Sequence, residues 1–371
     1  MAKKESIGVG VIGAGFARST QIPAFGACEA ARVVAIASGR RENAERVARE
    51  SGIPFVGAHW REVVERDEVS LVCVTTPTVF HREMTLAALA RGKAVLCEKP
   101  MAMTASESEE MLRAATAAGV LAHVDHELRF VPARLRARDM IAAGEVGRVR
   151  HAKVLFRADW RAAAHHEWDW WSDAGAGGGI LGAIGSHAVD ALRWLTQSEF
   201  AEVSCRLATH VAERADPATG EPRRVTSDDE ANLLLRFAPS EFVLESATAA
   251  LSLSSVEAGA PCHRAEIFGE RGALRVEGAR LWRAESGAGR WDEVAVEDAP
   301  LAAGMRDTEW SRGFTVFARK IIDALREGRA GVEGAATFED GHRTQLVLDA
   351  ARHSHETGRT AVTGRAVNGE P

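Results

Sequence analysis

The sequence predicts an α/β domain with a parallel sheet, followed by an α+β domain of antiparallel strands. Three observations carry this. Residues 7–126 alternate short apolar runs with helical patterns, as strands joined by crossover helices do. The first run ends in Gly13-Ala14-Gly15. From residue 149 onward, apolar and polar residues alternate with period two, the pattern of strands with one face covered.

In the first part, strands are predicted over 7–12, 32–37, 70–75, 94–97 and 120–124, with helices over 41–51, 81–91 and 105–118 between them. Thr104 is an N-cap candidate for the last helix, with Glu107 three residues on. A helix over 132–142 leads to strands over 149–157, 201–211, 229–237, 241–251, 263–268, 273–277 and 291–296. The segment 216–224, rich in Pro, Gly and charge, reads as an exposed hairpin excursion, and 309–327 and 336–356 read as helices. The domains are thus expected at 1–126 and 127–371, with the final helix packing back on the first.

With 371 residues the chain suffices for two domains, and 46% hydrophobic with 26% charged residues is ordinary for a globular protein. A net charge of -6 gives no global reason to expect nucleic acid or an anionic membrane as partner. The five cysteines are far apart, with neither CxxC nor Cys/His ligand spacing, so they read as buried thiols of a reducing compartment; no metal is expected. After Met1-Ala2-Lys3-Lys4 the apolar run is too short for a signal segment, and no later run is long enough to span a membrane, so a cytoplasmic location is expected.

The chemistry-bearing residues gather where strands end. Gly13 suits a tight turn, and Gly15 would let the backbone approach a pyrophosphate, with Phe16 and Ala17 in the same turn. Gly8, Gly10 and Gly13 also satisfy GxGxxG, but two of them fall inside the strand. The third position of the working turn is Arg18, where a small residue is usual. The second strand ends in Ser38-Gly39-Arg40-Arg41, a serine and two arginines without an acid, which suits a 2′-phosphate and hence NADP, with NAD the alternative. Thr76-Pro77 would wall a bound dinucleotide, and His81 either caps its helix or meets a ligand. The run 94–97 ends abruptly in Glu98-Lys99-Pro100, which sets a lysine at the carboxyl end of a parallel strand, where open α/β sheets bind ligands.

Arg129 follows the fifth strand and is a candidate substrate contact. Residues 159–173 hold four tryptophans; Trp160 and Trp171 are candidates to stack on a sugar ring, and the same cluster could equally form an interface or a self-packed loop. A glycine-rich stretch then runs into Gly185-Ser186-His187, with Ala183 and His187 sharing a helical face at i, i+4 spacing and Asp190 three residues on.

Taken together, Gly13-x-Gly15, Thr76-Pro77, Glu98-Lys99-Pro100 and Gly185-Ser186-His187 resemble the Gfo/Idh/MocA family over nearly the whole chain. The resemblance implies a Rossmann domain followed by an α+β domain with a large, mostly antiparallel open sheet, often used to assemble a homo-oligomer, here a dimer or tetramer. It also implies NAD(P)-dependent oxidoreduction of a small-molecule substrate: a sugar, cyclitol or related polyol, or its keto form. Lys99 matches the family's motif lysine, near the nicotinamide and the reacting oxygen, and His187 the histidine taken as proton acceptor or donor; Glu98 reads as positional, holding the lysine or the nicotinamide ribose of the cofactor. The family often has an aspartate four residues before that histidine, where this chain has Ala183. Two other readings remain: a dinucleotide-dependent sensor without catalysis, and a reductase of an unsaturated or tetrapyrrole-like substrate.

Overall fold

The computed structural model describes residues 6–163 and 165–364; Met1-Ala2-Lys3-Lys4, read above for a leader, lies outside them. In chain order the helices are α1 (Phe16–Ser19), α2 (Gln21–Gly26), α3 (Arg41–Ser51), α4 (Trp60–Glu65), α5 (His81–Ala90), α6 (Ala105–Ala118), α7 (Pro132–Ala142), α8 (Ser186–Thr196), α9 (Glu309–Arg326) and α10 (Phe338–Thr357). The chain divides into two compact units, Met1–Val131 with Ala299–His342, and Pro132–Asp298 with Arg343–Pro371.

The first unit holds a parallel sheet of β1 (Ile7–Ile12), β2 (Ala31–Ala37), β3 (Phe55–Val56), β4 (Leu71–Val74), β5 (Ala94–Cys97) and β6 (Ala122–Val124), in the order β3-β2-β1-β4-β5-β6. Strands β1, β4 and β5 are buried throughout, so their continuous apolar runs feed both faces. Along β5, Ala94 and Leu96 enter one core and Val95 and Cys97 the other. Thr104 caps α6 as its spacing predicts: its hydroxyl accepts from Glu107 N at 3.2 Å, while Glu107 Oε2 accepts from Met103 N at 3.0 Å. The sequence reading puts a return to this unit in the final helix. Here α9 lays Phe314, Phe317, Ile321 and Ile322 into the core shared with β1, and Phe338, at the start of α10, joins the opposite core.

The second unit holds β7 (Val149–Arg157), β8 (Phe200–Ala208), β9 (Glu213–Ala215), β10 (Pro222–Arg224), β11 (Glu230–Phe237), β12 (Val243–Ser254), β13 (Cys262–Gly269), β14 (Gly272–Glu277), β15 (Arg280–Glu285), β16 (Asp292–Val294) and β17 (Ala361–Val362). Nine of these form one sheet, β16-β15-β14-β13-β7-β12-β11-β8-β17, antiparallel except for the parallel pair β7 and β12. On β11, Ala231, Leu233, Leu235 and Phe237 are buried while Asn232 and Leu234 are exposed, the alternation of a sheet covered on one face. The excursion over 216–224 lies in the small β9–β10 hairpin.

All five cysteines are buried and free. Among the described residues no helix is long and apolar enough to cross a membrane.

Candidate functional site

In the first unit the turn after β1 lies where the strand order reverses, since β1 pairs with β2 on one side and β4 on the other. Gly13 adopts φ +111°, and a Cβ there would stand 2.4 Å from the carbonyl oxygen of Thr75, so only glycine fits. The turn is held from both neighbours: Gly13 N donates to Ala37 O at 2.8 Å, and the Thr75 hydroxyl lies 2.9 Å from Gly13 O and 3.0 Å from Ile12 O. In front of Gly15 there is open space, Phe16 beside it is exposed, and Ala17 is buried. Ala17 lies in the core shared with Val9 and Val11 of β1. Arg18 instead turns outward to Glu50 at 2.9 Å, an exposed pair of small energetic weight.

Beyond this turn a cavity of 560 Å³ is lined by Ser38, Gly39, Trp60, Arg61, Thr76 and Pro77 among others. Its size suits a small ligand or one end of a dinucleotide. Ser38, Thr76 and Pro77 are thus brought together. Arg40 and Arg41 are exposed, and Arg41 pairs with Glu45 at 2.8 Å along α3. Trp60 and Arg61 were not singled out by the sequence reading; the Arg61 guanidinium lies 4.3 Å above the Trp60 ring and also meets Glu83. The glycine turn, the space before Gly15 and this cavity together fit a dinucleotide.

At the end of β5, Glu98 is buried and Lys99 half-buried, with a cis peptide between Lys99 and Pro100. Gln21 Nε2 donates to Glu98 Oε1 at 2.9 Å and to Asp125 Oδ2 at 3.0 Å. Burial pushes the Glu98 carboxyl above the usual range while the Lys99 charge opposes it; burial, then the charges of Glu98 and Glu127, push Asp125 well up. His81 is buried, with Nε2 2.8 Å from Thr76 O and Nδ1 3.0 Å from Pro100 O, so its ring braces the turns after β4 and β5. Burial lowers its pKa. Arg129 is also buried, its guanidinium 3.2 Å from Asp340.

In the second unit His187 lies in the first turn of α8 and is 2% exposed. The segment before it, Leu181–Gly185, is a π-helical turn, a feature frequent at functional sites. The i, i+4 face expected for Ala183 and His187 assumes continuous α-helix, and the wider turn breaks that register. Asp228 pins the approach: its backbone oxygen accepts from Ile180 N at 3.0 Å and its Oδ2 from Leu181 N at 2.7 Å, and a Cβ on Gly179 would stand 2.4 Å from its carboxylate.

The tryptophans divide. Trp160 and Trp171 stand edge to face at 4.8 Å, with Trp170 at 5.8 Å from Trp171 and both Trp160 and Trp170 more than a third exposed. Buried Arg161 holds this cluster, gripping Asp169 at 2.9 and 3.0 Å and Ser172 Oγ at 2.8 Å. A Cβ on Gly178 would stand 2.3 Å from Trp171 O, so the cluster's backbone rests against the glycine segment leading to His187. Trp168 stands apart, donating to Arg224 O and covered by the Arg223 guanidinium.

Residues 7–126 match a family model described as "Oxidoreductase family, NAD-binding Rossmann fold", and residues 135–275 match the "GFO/IDH/MocA C-terminal domain". The chain is 30% identical over 368 residues to glucose-fructose oxidoreductase domain-containing protein 2 of Xenopus laevis, with 95% of this chain and 92% of that one aligned. The chain belongs to the Gfo/Idh/MocA oxidoreductase family. Another member, levoglucosan dehydrogenase of Pseudarthrobacter phenanthrenivorans, is 28% identical over 93% of this chain and 95% of its own. A solved structure of levoglucosan dehydrogenase in complex with NADH and L-sorbose superposes with a TM-score of 0.84 at 26% identity, covering 98% of this chain and all of that one. The family's NAD-binding Rossmann sheet is thus the six-stranded sheet of the first unit, and its C-terminal domain falls in the second.

Proposed function

We propose that this chain catalyses reversible hydride transfer between NADP and the carbinol or keto carbon of a sugar, cyclitol or related polyol. The observation that carries the reading is Lys99, half-buried at the carboxyl end of a parallel strand whose sheet bears the glycine turn at its point of reversal. The dinucleotide, when bound, accepts or returns the hydride. In oxidation the substrate's C–H electron pair leaves as hydride, the hydroxyl proton goes to His187, and the C=O bond forms; reduction runs the same steps backward. Lys99, as ammonium, stabilises the alkoxide charge that develops on the oxygen. Glu98 positions Lys99, and Trp160 and Trp171 give an apolar face for a ring to stack on. The names of the relatives, levoglucosan dehydrogenase above all, support a sugar-like substrate. Ser38 and the exposed Arg40, with no acid beside them, support NADP over NAD.

A screen of NADPH and NADH oxidation with L-sorbose and other keto sugars, and of the reverse reaction with levoglucosan and inositol, tests this. Turnover with at least one polyol or keto sugar, and tighter binding of NADP than of NAD, is the expected result. Tight dinucleotide binding with no turnover would favour a sensor, and turnover confined to enals or pigments the third reading. Tighter binding of NAD would overturn the role given to Ser38, Arg40 and Arg41.

The uncovered face of the nine-stranded sheet supports self-association. Ser204, Leu234, Ala250 and Lys153 lie side by side across β8, β11, β12 and β7, and Leu234 is 67% exposed. Sedimentation of the purified chain as a dimer or tetramer is expected; a monomer at micromolar concentration would contradict it.

A further inference from the structure

Beside Lys99, three side chains with no part in the hydride chemistry converge. Gln21 opens α2, Glu98 follows β5, and Asp125 follows β6, the strand paired with β5; Gln21 is 0% exposed, Glu98 7% and Asp125 1%. One amide nitrogen donates to both carboxyl groups, at 2.9 and 3.0 Å. That geometry holds the two carboxyls side by side and out of water, where two negative charges cannot coexist cheaply. The remaining atoms point the same way. Asp125 Oδ1 and Gln21 Oε1 are buried and receive no hydrogen bond. As a carboxylate oxygen, Oδ1 would be uncompensated; a proton on Asp125 gives the pair a donor, and the interaction between the two carboxyls favours that protonated form of Asp125.

The charges around the pair decide which member keeps the proton. Lys99 acts on Glu98 and favours its ionised form, whereas Glu127 faces Asp125 and disfavours a second charge there. The thiols of Cys73 on β4 and Cys97 on β5 also feel the pair, and burial pushes both up and keeps them neutral.

We propose that Glu98 and Asp125 share one proton under the clamp of Gln21, so that the pair presents a single negative charge to Lys99. Gln21 and Asp125 are then positioning residues: they fix where that charge lies, and it fixes the ammonium. With one proton shared, the pair and Lys99 sum to zero; with none, the lysine would face an excess negative charge that holds it back from a substrate oxygen. The inference rests on the role proposed for Lys99.

Infrared difference spectroscopy of the full chain tests the shared proton without any substrate. A protonated carboxyl gives a C=O stretch distinct from the carboxylate bands and sensitive to deuterium exchange. The wild-type minus Asp125→Asn spectrum at neutral pH is expected to contain one such band; that of Asp228, half-buried and also shifted upward, cancels in the difference. Glu98→Gln should move the band rather than remove it, because burial and Glu127 still keep Asp125 protonated while its partner changes from a carboxylate to an amide. Either variant suffices if the other does not fold, and a flat difference spectrum in a folded variant would overturn the proposal.

Acetylation of Lys99 by acetic anhydride, followed against pH by peptide mass, reads the positioning role. In Asp125→Asn the amide still donates to Glu98, so the profile at neutral pH should match wild type, whereas Gln21→Leu should change the rate about tenfold, one pKa unit's worth. An unchanged profile in folded Gln21→Leu would contradict the positioning role. The two readings fail separately. If the band behaves as expected while Lys99→Met retains turnover, the electrophile role falls and the shared proton stands; a missing band with an inactive Lys99→Met gives the reverse.

Discussion

Replacing Lys99 by methionine is expected to lower kcat by a factor of about 10²–10³ while leaving NADP affinity essentially unchanged. Methionine keeps the length and apolar stem of lysine but donates no hydrogen bond and carries no charge, so the loss isolates the ammonium's contribution at the developing alkoxide. That contribution, about 2.7–4 kcal/mol, is what a single well-placed donor in a water-poor site supplies. The side chain is half-buried and the neighbouring Glu98 fully so, which keeps the interaction in a medium of low polarity. Cofactor affinity measured by nicotinamide fluorescence should be retained because Gly13, the space before Gly15 and the Ser38 cavity are untouched. A variant with near-normal turnover would remove Lys99 from the chemistry.

Replacing His187 by glutamine should lower kcat by about 10²–10⁴ and also change its pH dependence. Oxidation needs a neutral imidazole to take the hydroxyl proton, so its rate should fall as pH drops through the histidine's titration. Reduction needs the imidazolium, so its rate should fall as pH rises through the same range. Opposite limbs in the two directions, both absent from His187→Gln, are the signature of a proton carrier. Parallel losses with both limbs intact would reduce His187 to a packing residue of α8, where every residue is buried.

Much of the first unit could be read from the chain because its signals are local. The apolar runs of β1, β4 and β5, the Thr104 cap of α6 and the tight turn at Gly13 each need only neighbours a few residues away. The supporting groups depend on partners far off in sequence. Gln21 reaches Asp125 across 104 positions, Thr75 supports a turn 62 residues earlier, and Asp228 pins a segment 47 residues before it. No spacing rule links such pairs.

Short elements escaped for a different reason. Strand β3 has two residues and β17 two, too few for a periodic pattern, and both are set by the sheets they join. The π turn at Leu181–Gly185 escaped because its composition is that of an ordinary buried helix; its first residue is held by Asp228, far away in sequence. Arg41 and Arg129 each have a partner that residue type alone does not announce, Glu45 for the one and Asp340 for the other.

A crystal structure of the chain with NADP and a polyol that turns over would test the central claim most directly, through one distance. The account predicts Lys99 Nζ at about 2.6–3.2 Å from the oxygen of the carbon that exchanges hydride. Lys99 held wholly by protein groups, with another side chain donating to that oxygen, would contradict it.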